Sequence, residues 1–226
     1  MPPVRRAPRA SSVSGGYTKL STAPWRRGRF GLVWLVRSTT RGGETLVLKE
    51  VATTPLSPSQ LKATLLEVEI LRRIAHPGIV ALRDTFDARG FVGLILEYCS
   101  GGSLYALIKQ RSREGSHAFF SENVVRKYAH QLGAALEHLH HEQLLLHRDV
   151  KPSNVFLVPD ADGPHGSCKL GDFGLSKLLA HSKDVARSQV GTPLYMSPEL
   201  CAGHEYDRGA DVWAFGCTLF EMMGLQ

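Results

Sequence analysis

Read for polarity alone, the 226-residue chain changes its period near the middle. From Trp25 to Val36 and again from Thr45 to Val51, β-branched and aromatic residues dominate. The Gly-bearing run 39–44 separates the two stretches, which predicts a hairpin. Residues 59–75 then carry Leu61, Leu65, Leu66, Ile70, Leu71 and Ile74 at three- and four-residue steps, predicting a helix. His76-Pro77-Gly78 stops it. Two more strand-like runs follow, Ile79 to Phe86 and Phe91 to Leu96, and then a turn-rich break at 97–102. Beyond the break the chain reads as helix. Ser121 is placed to cap a stripe of Val125, Tyr128, Leu132, Leu136 and Leu139 that ends near His141. Asp211-Val212-Trp213 opens a last apolar helix through Met223. A β-rich front with one long helix and a mainly helical back predict an α+β protein.

Composition narrows this picture. The 43% hydrophobic and 21% charged content suits a globular chain with a real core. No apolar run approaches the roughly 18 residues that a membrane span needs. The four cysteines, at 99, 168, 201 and 217, show no ligand-pair spacing, so a disulfide framework or zinc site is not expected and a reducing compartment is. The net charge of +6 is concentrated at the front: residues 1–43 hold nine Lys or Arg and no acid. A basic tail is not a basic surface, which argues against a dedicated nucleic-acid-binding domain. Residues 1–16 lack periodicity and read as a disordered tail; a transit peptide is the alternative, weakened by Pro2, Pro3 and Pro8.

Two polar interruptions carry the candidate chemistry. Residues 147–154 read His-Arg-Asp-Val-Lys-Pro-Ser-Asn between the apolar runs Leu144–Leu146 and Val155–Val158. Asp149 could accept a proton, Lys151 could neutralise phosphate charge, and Asn154 could hold a cation through its amide oxygen. After a strand-like run at Cys168–Leu170 comes Gly171-Asp172-Phe173-Gly174, where Asp172 is a candidate metal ligand. Taken singly, each turn would serve equally well as a plain strand cap. The segment between them, 158–168, reads as a lengthened hairpin turn. Its two Asp residues beside Gly163 do not complete a calcium loop. His130, His138, His140 and His141 form no convincing metal set and read as structural or surface residues.

Together and in this order, the two turns resemble the catalytic loop and the metal-binding Asp-Phe-Gly of eukaryotic protein kinases. Lys49, Glu67, Ser-Pro-Glu at 197–199 and Asp211 match that family in sequence, and Glu67 follows Lys49 by 18 residues. Lys151 resembles the serine/threonine branch. The strings Lys-Leu-Gly-Asp-Phe-Gly-Leu and Gly-Thr-Pro-Leu-Tyr-Met-Ser-Pro-Glu look most like NIMA-related kinases. The resemblance implies a bilobal fold: a small β-rich lobe at about 17–96, a hinge at 97–102, and an incomplete helical lobe at 103–226. It implies ATP and Mg²⁺ as cofactors and protein substrates as partners. Gly28 and Gly31 would approach the phosphates. Lys49, held by Glu67, would hold them. Val33, Val47, Leu96 and Phe156 would line the nucleotide site, and Glu97 and Cys99 would offer backbone groups to adenine. Asn154 and Asp172 would bind Mg²⁺. Asp149 would act as the catalytic base beside Lys151.

Residues 172–199 then become the activation segment. Ser188 stands where an activating phosphate, from another kinase or from the chain itself, would pair with Arg148. Thr192 would lie near Asp149 and Lys151, and Leu175 resembles kinases that prefer serine. The chain departs from the pattern in two places. Arg26 replaces the first loop glycine, where it either crowds the nucleotide or contacts phosphate. The helices that follow the Asp211 helix in the family are missing, so Phe215, Leu219, Phe220 and Met223 are expected to be exposed. A kinase fragment or a non-catalytic interaction module is therefore the rival reading, and nucleic-acid binding by the tail a remote one. A cytoplasmic, cytoskeleton-associated setting follows from the same resemblance.

Overall fold

The computed structural model describes residues 12–13, 15–21, 23–28, 31–54, 56–114, 119–161, 163–172, 193–204 and 207–224. The chain divides into two compact units: Met1–Arg72 with Ala81–Tyr98, and Arg73–Val80 with Cys99–Gln226.

The first unit is built on a seven-stranded antiparallel sheet. Its strands are β1 (Ser12–Val13), β2 (Tyr17–Lys19), β3 (Arg26–Gly28), β4 (Gly31–Ser38), β5 (Thr45–Ala52), β6 (Leu82–Ala88) and β7 (Phe91–Glu97). The order is β1-β2-β4-β5-β7-β6, with β3 pairing β4. Period-two alternation decides its two faces. Tyr17, Trp34, Val36, Leu46, Leu48 and Ile95 form the buried core of one face. Each large apolar side chain so buried contributes roughly 1.5–3 kcal/mol. Lys19 closes this core from outside: its ammonium lies 3.6 Å from the Trp34 ring centroid and 2.8 Å from Glu50 Oε1.

Ordered structure reaches into the expected tail. Ser12–Val13 pairs with Tyr17–Thr18, because Gly15 and Gly16, both at positive φ, reverse the chain and let Val13 pack on the core. Helix α1 (Pro58–Arg73) lies where expected, but only part of its expected stripe turns inward. Thr64, Val68 and Leu71 are buried, whereas Leu65 and Leu66 are exposed. The i, i+4, i+7 row through Thr64 is the one that packs; of the expected stripe, Leu71 and Ile74 are buried and Leu61 and Ile70 half-buried.

The second unit contains α2 (Leu104–Glu114), α3 (Glu122–Glu137), the hairpin β8 (Val155–Asp160) and β9 (Gly163–Leu170), α4 (Pro198–Cys201) and α5 (Arg208–Gly224). Ser121 starts α3 in an extended conformation, but its side chain makes no capping bond. Tyr128, Leu132, Leu136 and Leu139 are buried, as the stripe predicts. The helix then loosens into a π turn, His138–Glu142. The expected long turn at 158–168 is mostly strand. It pairs Val158 with Ser167 and is tied to α3 by Cys168 N–H donating to Gln131 Oε1 at 2.9 Å and by a Lys127–Asp160 ion pair at 3.0 Å. Ile79 and Val80 do not open the strand β6. They bind Leu170 instead: Val80 N–H donates to its carbonyl at 2.9 Å, and both side chains are buried in this unit. On α5, Phe220 and Met223 are exposed as expected, but Phe215 and Leu219 are half-buried.

Candidate active site

The sheet's second face collects the residues expected to line a nucleotide site in the first unit. Register places Val33 opposite Lys49 and Lys49 opposite Leu94; it places Leu35 opposite Val47 and Val47 opposite Leu96. Side chains opposite one another share a face, so Val33, Val47, Lys49 and Leu96 form one half-buried surface that is apolar except for the lysine. Gly28 pairs Gly31 at the β3–β4 turn. Gly31 has φ +151°, and a Cβ there would come 1.6 Å from the Glu50 carbonyl oxygen. This glycine is required by the close approach of β5, a reason that its sequence context does not reveal. Glu97 is anchored twice to Ala81: its N–H donates to the Ala81 carbonyl at 2.9 Å and its carboxylate accepts the Ala81 N–H at 3.2 Å. Glu67 lies on α1, its side chain outside the described residues.

In the second unit the polar loop is organised around its acids. Lys151 Nζ donates to Asp149 Oδ2 at 2.7 Å, and Asn154 Nδ2 donates to the same oxygen and to the Asp149 carbonyl, both at 2.8 Å. These bonds fix the rotation of the carboxylate. They also turn the Asn154 amide so that its oxygen is left for another partner. Gly171 N–H donates to the Asn154 carbonyl at 2.9 Å, which joins the two stems that carry Asn154 and Asp172. Asp172 leaves β9 in a left-handed conformation, φ +60°, and is exposed. One amide oxygen and one exposed carboxylate fit a hard, oxygen-seeking cation such as Mg²⁺, which takes few protein ligands and completes its shell with water and phosphate. Among the described residues no group of three or more His, Cys, Asp or Glu could hold a metal, so a closed protein cage is not the alternative. Phe156 is half-buried on β8, and Cys99 is buried.

The hub of this loop is Asp211, in the first turn of α5 and fully buried. Its Oδ1 accepts the Arg148 N–H at 2.8 Å; its Oδ2 accepts the His147 N–H at 2.8 Å and lies 2.8 Å from His140 Nε2. Arg148 is thereby held at φ +67°, a conformation costly for any residue but glycine. His147 is buried, and burial pushes its pKa below the ordinary value. The neutral ring accepts the Asp149 N–H on Nδ1 and so donates from Nε2 to the Gly171 carbonyl at 3.2 Å. Motif order points to Asp211; His140, expected in a structural or surface role, is the buried partner of its Oδ2. Its position seven residues before His147 was the one available signal. Phe173, Gly174, Leu175, Ser188 and Thr192 lie outside the described residues.

A sheet-based unit followed by a helical one with this loop defines a bilobal α+β fold of the kinase type. A protein kinase domain model matches residues 27–225, and the chain belongs to that family. It is similar to the serine/threonine-protein kinases Nek1 of Mus musculus (36% identical over 199 residues, 88% of this chain and 16% of that protein), Nek11 of Homo sapiens (38% over 197 residues, 86% and 29%) and Nek9 of Mus musculus (38% over 201 residues, 88% and 19%). Its likeness is thus to the NIMA-related members. The chain spans less than a third of the length of each of these three relatives. The fold is also that of Rad53 1–466, solved as a crystal structure in complex with AMP-PNP: TM-score 0.72, 24% identity, 90% of this chain and 47% of that one.

Proposed function

We propose that this chain transfers the γ-phosphoryl group of ATP to serine or threonine hydroxyls of protein substrates. The observation that carries the reading is the Asp149–Lys151–Asn154 cluster, joined through Gly171 to the stem of Asp172. Lys49, partnered by Glu67, holds the α- and β-phosphates beneath the Gly28–Gly31 turn. Val33, Val47, Leu96 and Phe156 enclose the base, and the backbone of Glu97 and Cys99 reads its edge. Asn154 and Asp172 hold Mg²⁺, which when bound neutralises charge on the phosphates. Asp149 orients the acceptor hydroxyl and takes its proton as the new O–P bond forms. The bond from the γ-phosphorus to the bridging oxygen breaks, and ADP leaves. Lys151, paired with Asp149 in this structure, reaches the γ-phosphate during transfer. Placement and charge neutralisation supply most of the catalysis.

Phosphorylation of Ser188, by another kinase or by the chain itself, is the proposed switch, with Arg148 as its partner. A cytoplasmic and cytoskeletal setting is part of the same reading. The four cysteines are free thiols, two of them buried, and no described helix is long and apolar enough to cross a membrane. The non-catalytic alternative is not favoured, since a scaffold needs none of the Asp149 network. The test is phosphorylation of a generic basic protein with Mg²⁺ and ATP, by this chain and by Asp149→Asn. Turnover is expected to fall by about a thousandfold or more in the variant, as loss of a positioned base and its network does. Equal turnover in both would overturn the assignment.

A further inference from the structure

The chain between β5 and α1 repeats one local pattern. Residues 51–61 read Val-Ala-Thr-Thr-Pro-Leu-Ser-Pro-Ser-Gln-Leu, with no charge and with two hydroxyl residues directly followed by proline, Thr54-Pro55 and Ser57-Pro58. Both hydroxyl residues are exposed. A hydroxyl followed by proline is the acceptor pattern that proline-directed protein kinases read, and an exposed connection between two elements is where a modifying enzyme gains access. Of the two, Ser57 reaches further into the fold, because it caps α1. Its N–H donates to Gln60 Oε1 at 2.9 Å and its Oγ accepts the Gln60 N–H at 3.3 Å, a reciprocal pair. The bond to Oγ is long, and the Ser59 hydroxyl lies 3.0 Å from the same oxygen. Ahead of Thr64 no described residue of α1 is buried, so little packing holds the first turn against fraying.

We propose that Ser57 is a phosphorylation site for a proline-directed protein kinase and that its phosphate fixes the start of α1. Ser57 Oγ bonds to the γ-phosphorus of the ATP held by that enzyme. The bond from the γ-phosphorus to the bridging oxygen breaks, the hydroxyl proton passes to the enzyme's base, and ADP leaves. The product carries a charge of about −1.5 to −2 and three acceptor oxygens. It meets a first turn that holds no acid, in a helix whose first charged residue is Lys62. Ser59 has no proline after it and Thr54 lies ahead of the cap, so neither combines the acceptor pattern with the position. Helix α1 also carries Glu67, and a firmer helix presents a firmer partner to Lys49. That last consequence rests on the phosphoryl-transfer reading above; the site itself does not.

The test incubates the full chain, carrying Asp149→Asn to silence self-phosphorylation, with MgATP and a purified mitogen-activated protein kinase, a proline-directed enzyme. Fragment-ion mass spectrometry of the tryptic peptide 50–62 then locates the phosphate. Stoichiometric phosphate is expected on Ser57. Pro58→Ala keeps the hydroxyl and suits a first helical turn, and it should slow incorporation by about tenfold or more, the loss of one pocket contact. Phosphorylation should raise the thermal midpoint by roughly 1–4 °C. In the wild-type chain, freed of the added kinase, it should raise kcat/KM for ATP by about two- to fivefold. No phosphate on Ser57, incorporation undiminished in Pro58→Ala, or a midpoint unmoved or lowered by the phosphate would each overturn the proposal. A raised midpoint with unchanged kcat/KM would overturn the link from α1 to Lys49. Wild-type chain without turnover in either form would instead count against the phosphoryl-transfer reading, with the peptide and the midpoint still deciding Ser57.

Discussion

The two units present their candidate residues in opposite ways. In the first, Val33, Val47, Lys49 and Leu96 project from a regular sheet, and strand alternation alone puts them on one face. In the second, Asp149, Asn154 and Asp172 stand on irregular backbone, with left-handed conformations at Arg148 and Asp172. A sheet face is maintained by many small, redundant contacts. An irregular loop depends on a few strong ones, here the buried Asp211 and its three partners. The first should tolerate side-chain change and fail through its backbone; the second should fail through single polar atoms.

Two carboxylates in the second unit separate chemistry from scaffolding. Asp172 is exposed, so Asp172→Ala should lower transfer by orders of magnitude, about a thousandfold, with the unfolding midpoint nearly unchanged. Retained turnover would remove Asp172 from the metal site. Asp211→Ala should instead lower both activity and stability. It leaves the buried His147 N–H, the half-buried Arg148 N–H and His140 without their acceptor, at a cost of about 3 kcal/mol. Denaturant unfolding checks this, and a loss within 0.5 kcal/mol, on the order of a neutral surface change, would show that the loop holds itself.

In the first unit the matching test is on backbone. Gly31→Ala combines positive φ with a Cβ driven into the Glu50 carbonyl, so the start of β4 must shift away from β5. We expect destabilisation of about 1–3 kcal/mol and a raised KM for ATP, read by thermal unfolding and steady-state kinetics. An unshifted KM would detach the turn from nucleotide binding.

The smallest effect is predicted for pH, and it concerns Arg73–Val80, the segment that leaves the first unit for the second. His76 stacks on His138, with centroids 5.1 Å apart, and accepts the Gly78 N–H on Nδ1. Burial, then the neighbouring His138, pushes its pKa below the ordinary 6.5, against a smaller opposing pull from Glu142. The unfolded chain therefore binds this proton first as pH falls. Stability should be complete above about 6.5 and decline as pH drops from there toward the lowered folded value. Unfolding midpoints at pH 7.5 and 5.5, compared with those of His76→Gln, measure it; the variant should show the shallower decline.

Much of this architecture was legible beforehand because its signals are local. The β4–β5 hairpin, the buried stripe of α3 and the position of α5 follow from periods of two and 3.6, and the motifs that identify the family are short strings in a stated order. The misses share a cause. The exposed Leu65 and Leu66 of α1 are at least as apolar as the buried Thr64, Val68 and Leu71, so only packing decides which row turns inward. Ile79 and Val80 look like the start of β6 until Leu170, ninety residues later, claims them. The segment 158–168 carries turn-forming residues, yet its strands extend because α3 supplies Gln131 and Lys127 as partners.

The amino-acid sequence by itself determined the class of fold and the kinase family, and it named the acids, amide and lysines that are candidates for the chemistry. These depend on residue type and spacing along the chain. Only the tertiary structure decided how those groups are held. It set His140 and two backbone N–H groups on Asp211, more than sixty residues away in the chain. It pushed the His147 pKa down by burial and made Gly31 indispensable through β5. Hydrogen bonds, desolvation and steric contact between distant residues exist only once the chain has brought them together.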